Sequence, residues 1–269
     1  RCVPLWDGPG TVKVLIVDGE PNVDPYLDEV YLLKTALRPE GRAASGNDLT
    51  VIDENEGWAF VEAALDGYCG WIRAAHLGDA DAPITHRVSA PATHIYSAPN
   101  LKTPETLSLS LGARLSISGR DGAFAQLVQG GWIPAQHITD LPAKDPAAVA
   151  EQLIGTPYLW GGNSRWGIDC SGLMQAALAA CAVACPGDSD LQEAAFAPIE
   201  GEIRRNDLLF WPGHVAMALD GDRMIHATAF AMAVIIEPIK AAIARIDASG
   251  QGPFRGARRP ELVTKGGFP

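Results

Sequence analysis

The chain reads as an α+β protein, with a β-rich first half followed by a helix and an antiparallel sheet. Three observations predict this. Short β-like runs broken by turn residues fill the first half, and one eight-residue pattern recurs within it. Beyond a Pro- and Asp-containing stretch at 139–147, the texture changes to a long Ala- and Leu-rich run. The chain has 269 residues, 47% of them hydrophobic and 20% charged, which is ample for several folded cores and excludes a disordered chain. Its net charge of −11 argues against sequence-independent nucleic-acid binding, which depends on Lys and Arg displacing phosphate counterions. No apolar run reaches the roughly 18 residues of a membrane span.

Strands are expected at 11–17, 49–52, 58–63 and 68–72, with turns at Asp66–Gly67 and Asp121–Gly122. Residues 70–77 (GWIRAAHL) and 131–138 (GWIPAQHI) agree at five of eight positions, at an offset of 61. A turn-plus-strand precedes each, EGWAFV and DGAFAQLV, and the second copy has the shorter hairpin. Two copies of one small unit are therefore expected. Units of about 60 residues with five short strands close most economically as small barrels, which leave few open edges. The copies resemble bacterial SH3-like domains over about 35–80 and 85–140. Residues 1–34 match no pattern and extend the first unit. Trp71 and Trp132 read as core or inter-barrel packing. His76 and His137 occupy equivalent repeat positions and read as structural, and His86 and His94 also lie outside the second half.

In the second half, 147–154 and 170–183 read as helices. Strands follow at 207–211, 214–219, 223–227 and 232–237. Five cysteines, at 2, 69, 170, 181 and 185, form neither a disulfide framework nor a common zinc pattern. No metal site and no cofactor is expected. Cys181 and Cys185 read as small buried hydrophobes.

The densest chemistry lies in 155–173, GTPYLWGGNSRWGIDCSGL. Asp169 is placed as a helix N-cap, which puts Cys170 in the first turn. There the helix dipole favours thiolate, the attacking species. The base is sought in 214–227, HVAMALDGDRMIHA. An odd-numbered turn around Asp220-Gly221-Asp222 sets Leu219 opposite Arg223 and His214 opposite Thr228. His226 is then a diagonal neighbour of His214 on the same face. A two-residue turn would put the two histidines on opposite faces. Paired imidazoles can act as a base and its orienting partner.

Tyr158-x-Trp160-Gly-Gly, Asp169-Cys-Ser-Gly-Leu173, Asp207-Leu-Leu-Phe-Trp211, His214-Val and Met224-Ile-His-Ala227 occur in this order. Over 147–262 they resemble the NlpC family of papain-like cysteine peptidases, which cleave bacterial cell-wall peptides and often carry N-terminal SH3-like domains. Asn206 stands where the family commonly has Gly before Asp-Leu, and Ala216 where it has Gly after His-Val. The resemblance implies a papain-like domain whose Cys-bearing helix packs on an antiparallel sheet. It implies Cys170 as nucleophile, His214 as base and then acid, and His226 as the residue orienting His214. Tyr158, Trp160, Asp169 and Ser171 are implied in substrate binding, although loop packing for the aromatics and capping for Asp169 explain them as well. The implied substrate is a peptidoglycan peptide, cut between D-Glu, through its γ-carboxyl, and diaminopimelate or Lys.

The expected domains are 1–80, a first SH3-like barrel with its extension; 81–142, a second barrel; and 143–269, the catalytic domain. The short linker is expected to pack the barrels beside the groove and close one end. With Asp169 and Tyr68 there, that end would favour short peptides with a free L-Ala-γ-D-Glu terminus. The alternatives are an acyltransferase on the same scaffold and a non-catalytic wall-binding protein. A monomer is expected. The odd thiol count points to the cytoplasm, and the periplasm or secretion is the alternative if a leader preceded Arg1.

Overall fold

The computed structural model describes residues 49–63, 66, 69–74, 77 and 82–262, with backbone alone for Cys69–Arg73. The expectations for 1–34, Tyr68, His76, Cys2 and the Trp71 side chain lie outside the described residues. Two compact units divide after Asp140, with Ser164–Trp166 grouped with the first. Among the described residues, no helix is long and apolar enough to cross a membrane.

The first unit opens with an antiparallel meander of β1 (Leu49–Asn55), β2 (Trp58–Ala63) and β3 (Cys69–Arg73). Glu56 and Gly57 make its first turn, both at positive φ (46° and 80°), the two-residue form whose twist suits antiparallel partners. Next come β4 (His86–Val88), β5 (Ala92–Tyr96), β6 (Glu105–Ser110), β7 (Arg114–Leu115) and β8 (Ile117–Asp121). After them are β9 (Phe124–Leu127), β10 (Trp132–Pro134), a single 3-10 turn at Ala135–His137, and β11 (Ile138–Thr139).

The repeat appears as shared register. Arg73 pairs with Trp58 and Trp71 with Phe60, while Pro134 pairs with Phe124 and Trp132 with Gln126. One expectation needs correction here. The second copy is not a closed barrel. Its strands form a five-stranded sheet, β6-β5-β10-β9-β8, and a three-stranded sheet, β11-β4-β7, over one core that includes Val88, Leu109, Leu115, Leu127 and Ile133. The chain turns from one sheet to the other between β7 and β8 at Ser116, whose buried hydroxyl donates to the Pro83 carbonyl (2.9 Å). Of the two readings for Trp132, core or inter-barrel packing, this core is not its place. Neighbours on a strand face opposite ways, so the fully buried Ile133 leaves Trp132 half-buried on the other side. His137 bonds to the Thr93 hydroxyl (2.8 Å), tying the 3-10 turn to β5.

The remaining elements begin with α1 (Pro146–Glu151), the two-residue strands β12 (Asn163–Ser164) and β13 (Gly167–Ile168), α2 (Cys170–Ala180), α3 (Ser189–Ala195) and β14 (Ala197–Pro198). They end with β15 (Leu208–Trp211), β16 (His214–Ala218), β17 (Arg223–Thr228), β18 (Ala233–Pro238), α4 (Ile239–Ala248) and β19 (Gly256–Arg259). Six strands form one antiparallel sheet in the order β14-β19-β15-β16-β17-β18. The apolar side of α4 (Ile239, Ala242, Ile246) packs on Leu209, Trp211, Ala216, Ala218 and Met224, while α2 lies against β16 and β17. The predicted 170–183 helix stops at Ala180, because Ala182 takes φ +59°. Cys181 and Cys185 are buried thiols just beyond it.

Asn206 shows why its position suits Gly. Its φ is +75°, a left-handed conformation that L-residues other than Asn and Asp seldom adopt. It also does something Gly cannot. Asp145, the N-cap of α1, makes no cap bond and instead pairs with Arg205 (2.8 Å). Asn206 Oδ1 accepts the otherwise unsatisfied Ala147 N–H of that helix (2.8 Å). Asn206→Gly should therefore lose about 1 kcal/mol, the cap alone, and Asn206→Ala about 2–3 kcal/mol, cap plus left-handed strain. Urea unfolding should rank parent above Gly above Ala; an Ala variant equal to or firmer than Gly would refute this account.

Candidate active site

Asp169 is the N-cap of α2, and Cys170 is the first helical residue, as expected from the sequence. The Asp169 carboxylate is buried, and three donors converge on it. Gly172 N–H (2.7 Å) and the Ser171 hydroxyl (3.2 Å) reach Oδ1, and Gly161 N–H (2.8 Å) reaches Oδ2. One side chain thus caps the helix and fastens the preceding loop to it. Gly172 makes the approach possible: a Cβ there would collide with the Gly162 carbonyl.

Tyr158 and Trp160 stand on that loop. Its backbone runs beside the residues leading to Cys170: Leu159 N–H bonds to Ile168 O (3.1 Å) and Asp169 N–H to Gly162 O (2.9 Å). On its other side, Tyr158 N–H bonds to Met232 O (2.9 Å) in the β17–β18 turn. Trp160 is 64% exposed, so much of its side chain faces solvent. Cys170 itself is buried at 7% exposure, among the first-turn residues of α2.

The histidines meet as the odd-turn register requires. Met217 pairs with Ile225 and Ala218 with Met224, which fixes His214 and His226 as diagonal neighbours. His214 Nε2 and His226 Nδ1 are 2.8 Å apart. His226 is fully buried and His214 partly exposed. Burial, and after it the nearby charges of His226 and Arg245, pushes the His214 pKa down to about 3, against the opposing pull of Glu237. His214 is thus neutral near pH 7 and able to accept a proton.

Sequence reasoning missed Glu237 and Arg245. Glu237 Oε1 lies 2.8 Å from His226 Nε2, and Arg245 of α4 pairs with the same oxygen. Burial works to raise the Glu237 pKa, but its contacts with His226 and Arg245 together hold it below the usual carboxylate value. The available signal was a Glu ending an otherwise apolar strand; locating it required the β17–β18 register. Among the described residues, no group of three or more His, Cys, Asp or Glu is arranged to hold a metal ion.

Residues 155–246 match the NlpC/P60 family. That segment is an NlpC/P60 domain. Residues 43–77 match the bacterial dipeptidyl-peptidase Sh3 domain. The chain is similar to a γ-D-glutamyl-L-lysine dipeptidyl-peptidase of Bacillus cereus, 26% identical across 87% of this chain and 83% of that one. It is also similar to dipeptidyl-peptidase 6 of Lysinibacillus sphaericus, 27% identical over 68% of this chain and 78% of the relative. The crystal structure of an NlpC/P60 family protein from Bacillus cereus aligns with a TM-score of 0.66, 25% identity and 79% of each chain. The NlpC/P60 match spans Tyr158, Trp160, Asp169, Cys170, Ser171, His214, His226 and Glu237.

Two outcomes follow from this geometry. Gly172→Ala should cost about 1–3 kcal/mol by forcing the Gly162 carbonyl off α2, read as a lower thermal midpoint together with lost activity. The depressed His214 contributes stability that is complete above its unfolded pKa of about 6.5 and is lost as pH falls toward about 3. Thermal midpoints should therefore drop between pH 7 and pH 4, and drop less in His214→Gln. Parallel curves for the two proteins would contradict a neutral His214.

Proposed function

We propose that this chain hydrolyses the γ-D-glutamyl–L-diamino-acid bond of peptidoglycan peptides, with Cys170 as nucleophile and His214 as base. The observation that carries this is a first-turn cysteine on a helix packed against the two strands that hold a hydrogen-bonded histidine pair. The named activities of the similar proteins supply the substrate class.

Cys170 Sγ, its proton passed to His214, attacks the γ-carbonyl carbon of D-Glu to form a tetrahedral oxyanion. The amide of Cys170, at the helix start, is the candidate donor to that oxyanion, and the Tyr158 hydroxyl is the candidate second donor. His214 returns the proton to the departing α-amine of the diamino acid, leaving a thioester. Water, deprotonated by His214, then cleaves the thioester and restores the thiol. Trp160 offers a solvent-facing apolar surface to the substrate. Asp169 and Ser171 hold the first turn in place, and any hold of theirs on substrate adds to a carboxylate that already accepts three hydrogen bonds. Release of L-Ala-γ-D-Glu from peptides with a free N-terminus follows the dipeptidyl-peptidase names of the relatives.

Cys170→Ala should reduce hydrolysis of L-Ala-γ-D-Glu-diaminopimelate to below about 10⁻⁴ of the parent rate without unfolding the chain. Iodoacetamide should alkylate Cys170 ahead of Cys2, Cys69, Cys181 and Cys185. Alkylation dominated by another cysteine would overturn the assignment. N-acetylating the peptide should lower kcat/KM by at least about 30-fold, the loss of one charged contact. Equal rates on both peptides would remove the free-terminus preference and leave the Cys–His chemistry standing.

A further inference from the structure

His214, His226 and Glu237 lie in one straight diagonal row across three strands. His226 sits opposite Ala216, one diagonal step from His214; it also sits opposite Ile235, one diagonal step the other way from Glu237. All three project from the sheet face on which α4 packs: His214 and His226 are each two residues from a core member on their own strand, Ala216 and Met224, and Glu237 pairs directly with Met224. The charged and titratable groups facing the row are His214 from β16, His226 from β17, Glu237 from β18 and Arg245 from α4; Cys170 opens α2, which packs against β16 and β17.

We propose that Glu237, held by Arg245, is a positioning residue that sets the ring tautomers of both histidines. The proposal rests on the reading of His214 as the base. A carboxylate oxygen only accepts, so at 2.8 Å the facing His226 Nε2 must carry the ring proton. The contact is bent away from the ring N–H direction, so the carboxylate acts on the N–H dipole rather than through a full hydrogen bond. With a single ring proton, His226 is then bare at Nδ1. Two bare nitrogens repel at 2.8 Å, so the facing His214 Nε2 carries its own proton. His214 Nδ1 is left as the bare nitrogen, the one able to take a thiol proton. The opposite assignment would aim a lone pair of His226 at the carboxylate and fill His214 Nδ1, leaving no base. One carboxylate thus directs the whole row.

Arg245 keeps that carboxylate ionised and in place. It reaches Glu237 Oε1 from α4, and the exposed ring of Phe230 lies over its guanidinium at 4.2 Å. The ring covers one face of the cation and limits where it can swing.

The test is nitrogen NMR of the imidazoles in the full ¹⁵N-histidine-labelled chain, with His214→Gln and His226→Gln used to assign the signals. In the parent, both rings should be protonated at Nε2. In Glu237→Ala the Nδ1–H form should appear in His226, kcat should fall roughly 10- to 100-fold, and KM should stay within about twofold. Glu237→Asp should restore part of kcat. Unchanged tautomers in folded Glu237→Ala would overturn the proposal. If that variant fails to fold, Arg245→Met decides. Removing the cation should raise the His214 pKa and move the acidic limb of the kcat profile to higher pH, with both tautomers retained. A limb that stays put or moves down would overturn the assignment. Because the NMR readout needs no turnover, an inactive parent with the expected tautomer change would refute the proposed reaction and leave this positioning role intact.

Discussion

The site depends first on the register of one hairpin. Asp220 fixes it: its Oδ1 accepts the backbone N–H groups of Asp222 and Arg223 (2.9 and 2.7 Å), and its Oδ2 takes the Arg223 guanidinium. The Asp222 and Arg223 bonds hold the Asp220 pKa below its ordinary value, and Leu219 N–H closes on Arg223 O. These groups are exposed, and as an ion pair they add little stability. What they determine is the count of residues in the turn. A slip of one residue would send His226 to the opposite face and end its contact with His214.

The second constraint acts on the proposed nucleophile. A helix start is an electrostatic opportunity only if the chain entering it is held still. Asp169 does that by binding Gly161 on one side and Gly172 on the other. Close approach here comes from absent side chains: at Gly162 and Gly172 a Cβ would strike backbone carbonyls. The glycines of the Trp160-Gly-Gly and Cys-Ser-Gly stretches therefore define shape beside Cys170, the proposed nucleophile. Tyr158 and Trp160 ride on the same tightly bound loop, so the position of the exposed indole is coupled to that of the thiol.

The parts of the site legible in the sequence were those fixed by local rules. Capping placed Cys170, because Asp before a helix-forming run has few other uses. The His214–His226 diagonal followed from strand alternation and the parity of a three-residue turn. What was missed depended on contacts between distant segments. Glu237 could be placed on a strand, but its row depended on the four residues between β17 and β18, whose length no composition rule fixes. Arg245 required knowing that α4 returns over the sheet. Asn206 was visible as a departure from Gly, yet its bond to Ala147 links residues 59 apart. In the first unit, the repeat was legible because GWI recurs at a fixed offset, whereas closure was not. Closure depends on how the edge strands meet, and here they form two sheets over one core.

The electrostatics of the histidine row reconcile opposing demands. Burial keeps His214 neutral, which makes it an available acceptor but a weak base. A carboxylate beside the pair strengthens the base, and by itself would also draw a second proton onto the buried imidazoles. Arg245 limits that effect, since its positive charge lowers the His214 pKa while Glu237 raises it. Their joint placement lets the carboxylate act mainly through direction, choosing which nitrogen is bare, and less through net charge. A lone Glu at 237 would carry an uncompensated buried charge, and a neutral residue would leave the tautomers unspecified. A fixed anion with its own cation, one diagonal step beyond His226, satisfies both demands without charging the site.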